Sequence, residues 1–437
     1  MVMMSGLSER IAVPFEGEGA GEGPLSWGQQ SIWKEMATAG SSLALGAVRE
    51  LEPGTTAGQY VEEYRFYLSR YQSMRTLLAF SADGGVSQVV HASGTAGIDV
   101  YDAGDRDPAA VAAEVSAQHY AVPFDYEREW PMRVALIRRA GELTHLVVTL
   151  AHHVADPTAA MAMFEDFSDR DSGEPLRPPG LQPLEQARLQ QSPSALRQHE
   201  AALRHWETQL LAAPSPRLPP PSATAPAEFW ELDLLSPTLY SGLRLIAARL
   251  GVTTTPVLYA AFTSALARAT DTSTVATMIT VNNRFRPGLA DAAGHMSQHG
   301  LCTIDVTAAD TFDDLVLLSR RRLLTAQKHA YYAQADVDAL IARLTRDHGV
   351  NLDHLCLFNN RRTEDTFIDP APTRPDAPTT LEWRRLPSLH QPLMVHVNDA
   401  EDALSIRAQF ATAAISRTDL TALLHQTEST VLTAALT

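Results

Sequence analysis

The sequence predicts an α/β protein of two domains, on three observations. Short β-branched, apolar runs alternate with segments whose apolar residues recur at helical spacing, the pattern of strands and helices interleaved in layers. A length of 437 residues exceeds what one core usually holds. Pro214-Ser-Pro-Arg-Leu-Pro-Pro-Pro-Ser-Ala-Thr-Ala-Pro226 is poor in core formers and has the composition of an extended linker. An N-terminal domain is therefore expected at 1–180, a helical and proline-rich connector at 181–226, and a C-terminal domain at 227–437.

The elements follow in order. Ile11–Phe15 reads as a short edge strand, where Pro14 is tolerated. After a Gly/Glu loop to Gly23, Ser26 is the N-cap of a helix with Ile32, Trp33 and Met36 on its apolar face. A second helix is expected over Ala57–Tyr71, then a strand by Phe80 with Ser87–Ala92 as its hairpin partner. Pro108–Tyr120 reads as a helix and Pro131–Ile137 as a strand. Leu143–Leu150 has the content of a buried strand, and Asp156 with Pro157 opens the next helix as N-cap and first residue. Prolines between Glu174 and Pro183 break the pattern, and Leu184–Leu211 is helical. The second half starts with a strand at Glu228–Asp233, a helix closed by Gly251 and an apolar helix over Pro256–Ala269. Strands at Val275–Val281 and Gly300–Val306, a long helix over Thr311–Tyr332, strands at Leu352–Phe358, Leu393–Val397 and Leu404–Phe410, and a helix from Arg417 complete it.

Composition narrows the function classes. A formal charge of -16 argues against nucleic acid or an anionic membrane as the main partner. Hydrophobic content of 45% and charged content of 20% are those of a soluble globular protein. Cys302 and Cys356 make neither a disulfide framework nor a metal-binding spacing, which points to a reducing cytoplasm. Met1–Leu7 has no basic region leading into an apolar core, so no signal peptide is expected, and no apolar run reaches membrane-spanning length.

Leu150-Ala-His-His-Val-Ala-Asp-Pro-Thr158 stands where a strand passes through a short loop into a helix. Catalytic side chains often sit on such loops, held by rigid elements. His152 and Asp156 are four apart, which allows two separate jobs. An imidazole there can take a proton from an attacking amine or hydroxyl near neutral pH. A carboxylate turned the other way can pair with an arginine and hold the loop in shape. A plain strand end before a capped helix fits the same residues, and the spacing alone leaves both readings standing.

Other stretches extend the pattern: Pro24-Leu-Ser-Trp-Gly-Gln-Gln-Ser-Ile-Trp33, Arg70-Tyr-Gln-Ser-Met-Arg-Thr76, Pro123-Phe-Asp125 with Pro131-Met-Arg133, Trp206 late in a helix, Val281-Asn-Asn-Arg284 and Gly294. In order and separation, over nearly the whole chain, they resemble the condensation domains of nonribosomal peptide synthetases, within the chloramphenicol-acetyltransferase-like superfamily. The first is similar to the opening motif, the second to R-H-E-x-L-R-T, and His152–Asp156 falls where the family has H-H-x-x-x-D-G. Two registers compete. Anchoring on Asp156 makes His152 catalytic and puts Ala151 in the first histidine's place; anchoring on the His-His pair makes His153 catalytic and puts Pro157 where the aspartate belongs. The aspartate spacing favours His152. Proline at 157 also removes the N–H that the family's glycine would offer to an oxyanion.

The resemblance implies a V-shaped pseudodimer of two chloramphenicol-acetyltransferase-like α/β domains with a tunnel between them. An acyl or peptidyl carrier protein would bring the acyl thioester on its phosphopantetheine arm, and a small-molecule amine or hydroxyl acceptor would enter from the other side. His152 would act on the nucleophile, with His153, Asp156 and Arg284 in support and Arg284 as the partner of Asp156. Asn283, His295, Ser297 and His299 are channel candidates; for His295 and His299 a structural or solvent-facing role stands beside that reading. No intrinsic cofactor and no metal are expected, and a chain with only this unit would be freestanding. Family carriers are generally acidic, so Ser319-Arg-Arg-Arg322 is a candidate docking patch as well as an ordinary solvated helix face. Three functions fit: a condensation enzyme forming an amide or ester, an O-acyltransferase using coenzyme A or a carrier thioester, and a binding module that keeps the fold without the chemistry.

Overall fold

The computed structural model describes residues 6–170, 176–212, 228–351, 355–362, 378–389 and 391–436. The chain divides into two compact units, the first made of Met1–Arg197 with Asn282–Gln298 and the second of Gln198–Val281 with His299–Thr437.

The first unit contains strands β1 (Leu7–Glu16) and β2 (Gly21–Pro24), helix α1 (Trp27–Ala39), β3 (Leu45–Glu50), α2 (Ala57–Arg70), β4 (Thr76–Phe80), β5 (Val86–Val90), β6 (Ser93–Asp102), α3 (Pro108–Ala121), β7 (Met132–Arg139), β8 (Glu142–Leu150), α4 (Pro157–Asp169) and α5 (Pro183–Leu189). Five strands form a sheet in the order β1-β6-β7-β8-β3, and β2-β5-β4 form a smaller one. Successive side chains of a strand point to opposite faces. Val134 and Leu136 of β7 therefore join a core with Tyr64 and Leu68 of α2 and Met163 of α4, whereas Ala135 and Ile137 pack with Val111 and Val115 of α3. Both faces are covered, which explains why β7 reads as a continuous apolar run. Two arginines from the quoted motifs tie loops to this frame. Buried Arg75 donates to the carbonyls of Glu18, Gly19 and His91. Arg133 donates to those of His119, Val122 and Pro123 and lies 3.9 Å over the Phe124 ring.

Helix α6 (Pro193–Ala212) runs from the first unit into the second. There follow β9 (Phe229–Ser236), α7 (Pro237–Leu250), α8 (Thr254–Thr270), β10 (Thr274–Val281), β11 (Gln298–Asp305), α9 (Phe312–Lys328), α10 (Gln334–His348), β12 (Cys356–Asn360), β13 (Thr380–Leu386), β14 (Leu393–Ala400), β15 (Ala403–Ala411) and α11 (Arg417–Ala435). One seven-stranded sheet has the order β11-β10-β12-β14-β15-β9-β13. Leu232, Val395 and Ile406 of the sheet pack with Leu243 of α7, Phe262 of α8 and Leu424 of α11. On a separate cluster, Trp206 of α6 meets Tyr332 and Leu340 beside Ala276 and Leu301.

The structure departs from the sequence expectation in several places. Residues 282–298 group with the first unit, not with a domain beginning at 227, and the cut through α6 falls between Arg197 and Gln198. The Pro214–Pro226 linker lies outside the described residues, as do residues 352–354 of the strand expected from Leu352. The helix expected over Leu184–Leu211 is two helices, α5 and α6. The long helix ends at Lys328, β2 takes up the end of the stretch expected as a loop to Gly23, and β3, β6, α10 and β13 are strands and a helix that the sequence reading does not include.

Candidate active site

Strand β8 lies between β7 and β3, so its C-terminal end is fixed from both sides, with Leu150 opposite Met132 and Leu45. The chain then turns. Ala151 N–H donates to Pro131 O at 2.9 Å, His152 N–H to Ser42 O at 3.3 Å and Val154 N–H to Ala151 O at 3.2 Å. Within this turn His152 is partly exposed while Ala151, His153, Val154, Ala155 and Asp156 are buried.

The two adjacent imidazoles differ sharply. Ala155 O lies 3.1 Å from His152 Nδ1, and because a carbonyl only accepts, Nδ1 carries the hydrogen. Nε2 then holds the lone pair. Burial lowers the pKa of His152, partly offset by the Ala155 carbonyl and by the charges of Asp156 and Glu35. His153 points the other way, with its ring edge-to-face on Tyr126 at 5.5 Å and neither nitrogen paired. Burial, then His295 and His152, lower its pKa to about 3. His152 is thus the imidazole that can present a basic nitrogen, and His153 is a core ring.

Asp156 caps α4, accepting from Ala159 N–H at 2.9 Å, with Pro157 in the first helical position. The same carboxylate takes an Arg284 N–H at 2.7 Å, Met296 N–H at 2.9 Å and the Ser297 hydroxyl at 3.3 Å. Burial alone would raise its pKa, but the Arg284 guanidinium and these donors hold it below the ordinary carboxylate value. Arg284 also donates to Ala292 O and Gly294 O, so the pair pins the whole 284–297 loop to the start of α4. The expected partnership of Asp156 and Arg284 is present, within one unit.

The channel candidates separate. Asn283 is fully buried in the left-handed region at φ 60, donating to Met296 O and accepting from Arg286, so its amide is engaged within the loop. Ser297 is partly exposed. His295 is buried, edge-to-face on His152 with ring centroids 5.0 Å apart, and donates from Nε2 to Ser297 O at 3.1 Å. Burial and the neighbouring His152 push its pKa down to about 3. His299 stands in the second unit, where its carbonyl accepts from Tyr332. Among the described residues no group of three or more His, Cys, Asp or Glu could hold a metal ion.

Three residues at the site were not singled out from sequence. Ser42 takes the His152 N–H and contacts Tyr126 OH at 2.6 Å, and nothing local marks such a loop serine. Glu35 sits on α1 close enough for its charge to favour the protonated form of His152. Gly28 did carry a signal, since glycine inside a helix costs about 1 kcal/mol and asks for a reason. A Cβ at Gly28 would lie 2.2 Å from His295 O, so only glycine lets α1 approach the loop this closely.

A family model described as a condensation domain matches residues 21–436. The chain is 26% identical over 327 residues to chondramide synthase of Chondromyces crocatus, covering 70% of this chain and 8% of that one. To cyclosporin synthetase of Tolypocladium inflatum it is 26% identical over 266 residues, covering 59% and 2%. Among solved structures, the condensation domain from a monacolin K polyketide synthase aligns with a TM-score of 0.74 at 17% identity, covering 96% of this chain and 98% of that one. A structure of condensation domain-mediated chain release from the enacyloxin polyketide synthase gives 0.71 at 17% identity, covering 95% and 82%. The α/β fold is therefore the one these domains have. The chain spans 2% and 8% of the length of the two synthetases.

Proposed function

The chain belongs to the condensation-domain family, and from that premise we propose that it joins an acyl thioester, carried on the phosphopantetheine arm of an acyl or peptidyl carrier protein, to an amine or hydroxyl acceptor in specialised-metabolite biosynthesis. The observation that carries the reading is the held tautomer of His152, whose Nδ1–H is committed to Ala155 O and whose Nε2 is left with its lone pair. As the acceptor nitrogen or oxygen attacks the thioester carbonyl, its proton passes to Nε2. The carbon–sulfur bond then breaks, and the departing pantetheine sulfur takes that proton back. Positioning of the two reactants within reach of one base supplies several kcal/mol more. Asp156 and Arg284 hold the loop and do not touch the acyl group. Pro157 has no N–H to offer the oxyanion, so stabilisation at that point must come from another donor. The chemistry calls for no intrinsic cofactor, the pantetheine arriving with the donor. A cytoplasmic location accords with Cys302 and Cys356, both buried as free thiols.

The test offers hexanoyl-pantetheine with a primary amine, and in parallel with the matching alcohol. A positioned general base contributes roughly 10²–10⁴-fold. His152→Ala should lose about that much turnover with an unchanged circular dichroism spectrum, and His153→Ala much less. The reverse ranking would move the reactive imidazole to His153. Hexanoyl-coenzyme A in place of hexanoyl-pantetheine distinguishes the O-acyltransferase alternative.

A further inference from the structure

We infer that His295 is a positioning residue for His152, fixing the plane of the reacting imidazole by edge-to-face contact and keeping water from its flank. The inference rests on the proposed role of His152 and adds to it. The two rings are 5.0 Å apart at an interplanar angle of 84°, the arrangement that aromatic pairs prefer. Among the described residues, the ring of His152 is otherwise held by the hydrogen bond from Nδ1 to Ala155 O. One hydrogen bond leaves a ring free to rock about the bond axis, so a second contact is needed to set its plane.

His295 can supply that contact because it is itself held. Its Nε2–H donates to Ser297 O, and the residues after it are fastened through Met296 N–H and the Ser297 hydroxyl to Asp156. Arg284 holds Gly294 O on the other side, and Gly28 abuts the His295 carbonyl. The ion pair therefore acts on His152 at one remove, through the ring that its loop presents. His295 Nδ1 is buried and unpaired among the described residues, so what it offers His152 is the ring itself and not a hydrogen bond.

The assay uses the full chain with hexanoyl-pantetheine and a primary amine, beside an NMR titration of the His152 ring. His295→Ala should lower kcat about 10–100-fold with KM unchanged, the scale of a small misplacement. Water entering beside His152 should also raise its pKa toward the ordinary histidine value. His295→Phe keeps an edge-to-face ring and should restore both kcat and the titration. Parental kcat in His295→Ala, or a folded His295→Phe as slow as His295→Ala, overturns the inference. If His295→Ala does not fold, His295→Phe decides alone, and it must show near-parental kcat with an unmoved His152 titration. His152→Ala in the same assay separates the levels: parental turnover there removes the role of His152 itself, and the inference with it.

Discussion

His153 and His295 carry rings that burial keeps neutral to about pH 3, although a free histidine titrates near 6.5. Between those values the unfolded chain binds protons that the folded chain does not, so stability falls as pH falls through that window. For His153 alone the loss between pH 7 and pH 5 is about 2 kcal/mol. His153→Phe keeps a ring on Tyr126 and removes two unpaired nitrogens, so it should be at least as stable at pH 7 and lose less on acidification. Urea unfolding of both proteins at the two pH values checks this, and parallel pH dependences would refute it. At this scale the Asp156 spacing favours His152 in the family register, and the structure gives the two rings different surroundings, His152 partly exposed and His153 buried. The sequence could not reveal Glu35 or Ser42, because their relation to His152 exists only after α1 and the turn behind it have packed.

Asp156 joins an element to a loop. It caps α4 and pairs with Arg284 while almost wholly buried, with side-chain exposures of 1% and 7% for the two partners. Removing one member of a buried pair costs roughly 3–5 kcal/mol, and a lost cap about 1 more. Asp156→Ala should therefore lower Tm and the urea midpoint as well as turnover, and Arg284→Ala should do the same. In a double-mutant cycle the two losses should fall short of additive; full additivity would mean that the pair does not couple. Elements with strong periodicity or caps were legible, α1, α3, α4 and α7 among them. β3 was not, since five of its six side chains are exposed and no alternation marks it. β6 opens with Ser-Gly-Thr-Ala-Gly and reads as a turn, yet pairing with β1 and β7 makes it a strand. α9 has neither glycine nor proline at its end to signal the stop at Lys328.

At the scale of the whole molecule, the proposed docking of a carrier expected to be acidic would call for a local basic surface on a chain of net charge -16. Arg320, Arg321 and Arg322 are exposed on α9, next to buried Ser319. Replacing all three with glutamate should raise KM for an acylated carrier protein several-fold, more at low salt, and leave turnover of hexanoyl-pantetheine unchanged. Equal KM values for the carrier at both salt levels would assign these arginines to an ordinary solvated face. The ordered series of short motifs made the fold class legible over nearly the full length. The allocation of residues to units was not, because composition marks a linker but says nothing of where a later loop docks.

That loop has a consequence for how the protein is made. The first unit lacks Arg284, His295 and Met296 until residues 282–298 leave the ribosome, roughly 100 residues after Arg197. At about 5–20 residues per second the wait is roughly 5–20 s. Through that interval Asp156 lacks Arg284, its partner in the folded chain. The first unit is thus an unfinished body until a segment made well after the rest of it has docked.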